Sequence, residues 1–307
     1  MEKYLESYEE HFKNNAPVLI ETCLEEEQDI ILWHISLDLS MMVLKEAMAE
    51  RCNRRKVLMA NLLFVPYRST SAFPPPNLDP HELGEDAVYS ELWDQSFKLS
   101  LSPVVHKCAA WMRERLGLPQ REELSVDGVK EFHRTTPILH AYSELILPFP
   151  EDWSREIVHC CGYLTMSEQA DSAWHPPAEL IEFLEGGGEQ GSPVYIGFGS
   201  MIHADPGALL DTCLRAIASS GVRAVICEGW FLLRKPDPWH PDFYGLSPDQ
   251  VMFVHDVPHS FLLPRCRCSV VHGGAGTTAA AIRAGKPVVF VPFLIDQPVR
   301  PCWVISD

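Results

Sequence analysis

One run of glycines and other small residues, residues 270–281, constrains this chain more than any other feature of its sequence. It reads VVHGGAGTTAAA, an apolar segment followed by a glycine turn and then by small residues. This order predicts a strand, a turn and the N-terminus of a helix. Because the first amides of a helix have no partner within it and lie at the positive end of its dipole, such a junction suits a diphosphate. A purely structural turn, with a threonine as helix cap, explains the same run equally well.

Length, charge and apolar patterning limit the class of protein. A chain of 307 residues forms one large or two ordinary domains, and its net charge of −17 argues against a nucleic-acid partner. The same charge repels anionic membranes, so we expect at most peripheral membrane contact. The first 13 residues lack the apolar core of a secretory signal, and no apolar stretch approaches the roughly 20 residues of a membrane span. We therefore expect a cytoplasmic protein.

The ten cysteines do not form a recognisable metal or disulfide framework. None shows the Cys-x-x-Cys spacing of a zinc site, and several lie in apolar periodic segments. We expect most of them to be reduced core residues of an intracellular protein. Cys266 and Cys268, which alternate with arginines, leave a redox pair as an alternative.

Segments of strand type alternate with segments of helical spacing along most of the chain. In the first half the predicted strands are 29–34, 56–65 and 158–164, with helices over 37–52 and, interrupted near Pro103, over 82–116. In the second half the predicted strands are 194–198, 224–227, 251–254, 269–272 and 288–291, with helices over 206–219, 258–263 and 275–284. This alternation predicts doubly wound α/β domains with parallel sheets. We expect a first domain over 1–165, a linker and crossover over 166–192 that carries a short helix, and a second domain over 193–307.

Four segments of the second half fall where its predicted strands end, which is where doubly wound sheets bind ligands. They are residues 197–201, 256–259, 272–278 and 291–298. In the last of them the carboxylate of Asp296 and the amide of Gln297 are adjacent and suit the vicinal hydroxyls of a sugar. An Asp-Gln-Pro sequence is also a common turn. The prediction of a ligand site therefore depends on the order and spacing of all four segments.

These segments together resemble the donor-binding domain of the UDP-sugar glycosyltransferases with the GT-B fold, and within them the sterol glucosyltransferase branch. The resemblance is dense over residues 193–298 and extends more weakly upstream to residue 56. It implies an α/β chain with two doubly wound, Rossmann-like domains. It also implies that both domains are incomplete, because the family's first strand with its glycine turn, and its elements after the Asp-Gln-Pro segment, have no counterpart here.

The resemblance further implies a role for each donor-binding residue. The loop would hold the diphosphate, with His272, Gly199 and Ser200 beside it; Val257 would lie against the uracil, and Asp296 and Gln297 would hold the sugar hydroxyls. The implied donor-binding residues are Gly199, Ser200, Val257, His272, Gly273, Gly274, Ala275, Gly276, Thr277, Thr278, Asp296 and Gln297. No metal and no cofactor are implied beyond the UDP-sugar as co-substrate, since helix amides would neutralise the diphosphate.

The implied activity is transfer of a hexose, with glucose favoured, from a UDP-sugar to the hydroxyl of a lipid or sterol, with inversion. His34 and Asp38 follow a predicted strand and are candidates for the catalytic base, although a structural role explains either residue as well. Two alternatives remain. The chain is a truncated and inactive nucleotide-binding or interaction protein, or it is an epimerase-like enzyme of the same fold, which the Asp-Gln pair disfavours.

Overall fold

The computed structural model describes residues 9–10, 12–18, 20–21, 30–33, 38–51, 58–63, 68–76, 78, 83–84, 87–121, 124–165, 174–187, 191–201, 203, 205–229, 233–237, 239–240, 244–247, 249–293 and 297. The chain divides into two compact units, a first unit over Met1–Gly162 and a second unit over Tyr163–Asp307. Residues 166–173 and 188–190 of the predicted linker lie outside the described residues. The domain boundaries inferred from the sequence therefore stay a prediction.

The first unit contains a four-stranded parallel sheet. Its strands are β1 (Ile30–Trp33), β2 (Leu58–Leu63), β3 (Ile138–His140) and β4 (Val158–Cys160), hydrogen-bonded in that order. Its helices are α1 (Asp38–Arg51), α2 (Tyr89–Ser100), α3 (Pro103–Leu116) and α4 (Val126–Thr135). Pro103 takes the first turn of α3, and Gly117 ends that helix in the left-handed region at φ 67°. Met41, Leu44, Met112 and Leu116 pack α1 against α3 in the core.

Two loops of the first unit are joined by side-chain hydrogen bonds. Asp152 follows β3, and it accepts hydrogen bonds from the Thr70 hydroxyl at 2.6 Å and from the Ser71 N–H at 2.8 Å in the loop after β2. Trp153 donates from its indole nitrogen to the carbonyl of Ser69 at 3.1 Å. These bonds lower the pKa of the Asp152 carboxyl against the opposing effect of burial, so the loops are held by an ionised side chain.

The second unit contains a five-stranded parallel sheet in the order β7-β6-β5-β8-β9. Its strands are β5 (Val194–Gly197), β6 (Ala224–Cys227), β7 (Val251–Val254), β8 (Cys268–Val271) and β9 (Val288–Phe290). Its helices are α5 (Ala178–Glu185), α6 (Pro206–Ser220), α7 (His259–Leu262) and α8 (Ala275–Arg283). The strand order reverses between β5 and β8, where Gly197 pairs with Val271. The crevice beyond this pair is the topological switch point, the usual ligand site of such sheets.

Apolar side chains cover both faces of the second sheet. One cluster packs α6 against the sheet through Leu210, Leu214, Ile217, Ile196 and Ile226. A second cluster packs α5, α7 and α8 against it through Leu180, Leu262, Ala281, Tyr195 and Val271. Helices on both faces of a parallel sheet confirm the predicted doubly wound α/β class for this unit. Among the residues described above, no helix combines the length and apolar character needed to cross a bilayer.

Candidate functional site

The N-terminus of α8 lies at the switch point and has no side-chain cap. Gly274 is its N-cap residue, and the first intrahelical bond runs from the Thr278 N–H to the Gly274 carbonyl at 2.9 Å. The N–H groups of Ala275, Gly276 and Thr277 therefore precede the helical ladder. A Cβ built on Gly276 would meet nothing within 4 Å, so the space in front of this turn is open. The arrangement can accept an anion through backbone amides.

Helix α6 begins at the same edge of the sheet but is closed by its own carboxylate. The Asp205 side chain accepts from the Ala208 N–H at 2.9 Å, and Pro206 fills the first helical position. An Asp cap both occupies the donor and repels a second negative charge. Of these two helix starts, the one at α8 is the one suited to a diphosphate. In the sequence, the Asp-Pro pair at 205–206 is the signal that distinguishes the two helix starts.

His272 lies between two glycines that follow different strands. A Cβ built on Gly199 would fall 2.9 Å from Cε1 of the imidazole, and one built on Gly274 would fall 2.3 Å from its Nε2. Gly199 also has a φ of 59°, which disfavours any side chain there. The imidazole is buried and occupies the room that two side chains would need. The structure thus brings Gly199, His272 and Gly274 together, and their role at the phosphate side of the site stays a prediction.

Gln297 joins three loops at this edge. Its Oε1 accepts from the Phe293 N–H at 2.8 Å, and its Nε2 lies 3.1 Å from the sulfur of Met201. Its side chain is buried, and its backbone lies against Gly273, whose φ is 88°. This internal role was not predicted. The expected contact of Gln297 with sugar hydroxyls stays a prediction, and Asp296 lies outside the described residues.

The other predicted site residues differ in exposure. Ser200 is exposed, and Ala275, Thr277 and Val257 are half-buried. Thr278 is buried, and within the described part of the chain its hydroxyl makes no hydrogen bond.

The candidates for a catalytic base belong to the first unit. His34 lies outside the described residues, and Asp38 is the first residue of α1. Their role stays a prediction. Among the described residues no group of three or more His, Cys, Asp or Glu side chains is arranged to hold a metal ion. The expectation that no metal takes part likewise stays a prediction.

The amino-acid sequence of this chain is similar to those of known enzymes. The family model of the erythromycin biosynthesis protein CIII-like C-terminal domain matches residues 239–305. The sterol 3-beta-glucosyltransferase of Cryptococcus neoformans var. neoformans serotype D (strain JEC21) is 32% identical over 248 residues, which cover 76% of this chain and 15% of that protein. The enzyme of the same name from Aspergillus fumigatus is 32% identical over 237 residues, covering 76% of this chain and 16% of that protein. The chain thus spans about one sixth of the length of these curated relatives.

Solved structures of low sequence identity share the fold. The glycotransferase of kitacinnamycin matches 97% of this chain and 67% of its own with a TM-score of 0.62 at 17% identity. Os79 from O. sativa, solved in complex with UDP, matches 99% of this chain and 68% of its own with a TM-score of 0.56 at 15% identity. Both share with this chain the α/β fold that was expected from the sequence. The chain therefore has the fold of the GT-B glycosyltransferases and, over three quarters of its length, is similar in sequence to sterol 3-beta-glucosyltransferases.

Proposed function

We propose that this chain binds a UDP-sugar at the carboxyl edge of the sheet in the second unit and transfers its hexose to a lipid hydroxyl. The observation that carries the proposal is the uncapped N-terminus of α8 at the switch point. Three consecutive N–H groups precede its helical ladder, and the space before Gly276 is open. The helix dipole and these amides would hold the diphosphate without a metal and stabilise it as a leaving group.

The remaining donor contacts follow from the neighbouring loops. Gly199 lies across the imidazole of His272 from Gly274, and Gly199 and the exposed Ser200 that follows it would contact the phosphates. Val257 supplies a peptide N–H and carbonyl beside α7, which match the donor and acceptors of a uracil edge. Asp296 and Gln297 would hold the sugar, in the order that the family resemblance implies.

The donor sugar and the acceptor are proposed from the relatives. Sterol 3-beta-glucosyltransferases from two fungi match three quarters of this chain, which favours glucose as the hexose and a sterol hydroxyl as the acceptor. In the proposed reaction the acceptor oxygen attacks the anomeric carbon, the bond from that carbon to the diphosphate breaks, and UDP leaves with the electron pair. The attack occurs from the opposite side and so inverts the anomeric carbon. The hydroxyl proton passes to a base, for which His34 and Asp38 are the candidates.

A pair of glycine-to-alanine variants tests the donor site. Gly276 and Gly207 occupy the same second helical position in α8 and α6, and a Cβ at Gly207 would make only an ordinary contact of 3.5 Å with Asp205. We expect G276A to fold at least as stably as the unchanged chain, because alanine favours helix by up to about 1 kcal/mol over glycine. We expect it to bind UDP at least tenfold more weakly, because the new methyl group takes the place of a phosphate oxygen.

Calorimetry with UDP and thermal unfolding with and without it give the readout. The unchanged chain and G207A should bind UDP alike, and saturating ligand should raise the free energy of unfolding by about 2.7 kcal/mol at a hundredfold excess over Kd. Equal affinities of G276A and G207A would contradict the placement of the diphosphate. Absence of any binding by the unchanged chain would refute the donor site itself. Release of UDP from UDP-glucose in the presence of ergosterol or cholesterol tests the transfer, and binding without release would favour a nucleotide-binding protein without activity.

A further inference from the structure

Tyr195 lies along its own strand instead of across the core. It is the second residue of β5, the central strand of the second sheet, and is almost fully buried. A Cβ built on Gly197 would fall 2.2 Å from the Tyr195 hydroxyl oxygen, so the ring covers the glycine two residues further on. The missing side chain at 197 therefore allows the hydroxyl to reach the carboxyl edge of the sheet, where the four predicted ligand segments meet.

The Tyr195 hydroxyl meets His259 at that edge. The distance from the hydroxyl oxygen to Nε2 of the imidazole is 3.0 Å, and the two rings make an edge-to-face contact with centroids 5.7 Å apart. Burial raises the pKa of Tyr195 well above its usual value and lowers the pKa of His259. Both groups are therefore neutral and share a hydrogen bond between the phenol oxygen and Nε2, and the hydroxyl also interacts with the Cys227 side chain.

His259 is the first residue of α7, and Val257 lies two positions before it with Pro258 between them. The proline fixes one backbone angle of this turn, and its carbonyl already accepts from Phe261 and Leu262 at 3.0 Å each. The turn is therefore rigid, and the hydrogen bond between His259 and Tyr195 fixes its position relative to β5. Because β5 also carries Gly199 and Ser200 beyond its end, this one bond relates the Val257 peptide to the loop on the phosphate side.

We propose that Tyr195 is a positioning residue that sets the selectivity of this site for the uracil base, by holding His259 and with it the Val257 peptide. The inference rests on the proposed function, since it assumes that UDP occupies this edge. It assigns a task to a buried phenol and imidazole that need not touch the ligand. The diphosphate would be held by the backbone amides at the start of α8, which take no part in this bond.

The test compares the affinities of the full chain for UDP, ADP and inorganic pyrophosphate by calorimetry. Tyr195→Phe keeps the ring and removes the hydroxyl. We expect it to weaken UDP binding about tenfold, to leave pyrophosphate binding within twofold, and to reduce the preference for UDP over ADP by the same factor of about ten. Tyr244→Phe is the matched control, because Tyr244 is a half-buried tyrosine of the same unit that stacks on Trp239, and its affinities should equal those of the unchanged chain.

His259 provides a second pair of variants that does not depend on the fold of Tyr195→Phe. His259→Phe removes the same bond from the other side and should show the same loss of base preference, whereas His259→Gln retains a group that bonds the phenol and should keep most of it. An unchanged ratio of UDP to ADP affinity in both Tyr195→Phe and His259→Phe would overturn the inference. So would an equal loss of UDP and pyrophosphate binding, which marks a general structural defect. If the unchanged chain binds no UDP, that measurement alone refutes the proposed function, before any variant is compared.

Discussion

Acid should destabilise the first unit through a single buried histidine. His140 ends β3 and is fully inaccessible to solvent. Its ring stacks on Tyr142 with centroids 5.1 Å apart and contacts Trp153 at 4.9 Å, and its Nδ1 lies 3.3 Å from the Tyr142 hydroxyl. Burial, assisted by the guanidinium of Arg68, lowers the pKa of His140 from 6.5 to about 3. The folded chain therefore keeps this imidazole neutral at a pH where an unfolded chain would protonate it.

The sign and size of the effect follow from proton linkage. The folded pKa is depressed, so between pH 6.5 and pH 3 the unfolded chain binds one more proton and the free energy of unfolding falls as the pH is lowered. Each pH unit in this window is worth about 1.4 kcal/mol. Between pH 7 and pH 5 the contribution of His140 should therefore fall by about 2 kcal/mol, and by about 3 kcal/mol at pH 4.

Urea unfolding at pH 7, 6, 5 and 4, followed by tryptophan fluorescence and circular dichroism, measures this slope. We expect His140→Gln to be less stable at pH 7, because a packed ring is lost, but to lose less stability on acidification than the unchanged chain. His159→Gln is the control, since His159 is an exposed histidine on the adjacent strand β4. Equal pH slopes for the unchanged chain and His140→Gln would refute the reasoning, because the imidazole would then have the same proton affinity folded and unfolded.

Two further predictions concern charged groups of the first unit. Asp152→Asn removes a carboxylate that accepts from Thr70, and it should lower the free energy of unfolding by about 1–2 kcal/mol and speed proteolysis of residues 68–76. Equal cleavage rates would contradict this. Glu46→Gln leaves the buried guanidinium of Arg113, which Glu46 binds at 2.7 and 2.9 Å, without its counter-ion. Urea unfolding should show a loss of about 3 kcal/mol, and a loss under 1 kcal/mol would show that the pair contributes little.

Residue patterns predicted the second unit well because its elements are encoded locally. Strands such as β6 and β8 are short apolar runs between turn signals, and the glycine turn before α8 marks the helix start by itself. Helix α4 was not predicted. It is only 10 residues long and includes Gly128, and its start is marked in the sequence by the Ser125 cap alone. Its amphipathic burial of Phe132 depends on the neighbouring helices as much as on its own sequence.

The candidate site was predictable in its backbone but not in its internal bonds. Glycines at strand ends mark where a ligand approaches, and the positions of Gly199 and Gly274 followed from that rule. Contacts between side chains leave no local signal in the sequence. Neither the hydrogen bond of Gln297 to Phe293 nor the phenol–imidazole pair of Tyr195 and His259 could therefore be predicted. The Asp296 carboxylate and the base candidate His34 stay predictions.

The imidazole of His272, seated where two side chains are missing, makes the loops after β5 and β8 share one wall. Because the ring lies against both loops, we expect a movement of either loop to displace it. The two sides of the crevice are then mechanically coupled when a ligand binds. Sequence change is constrained in the same way: a larger residue at 274 requires a smaller one at 272, and position 199 requires glycine both for the space taken by His272 and for its φ of 59°.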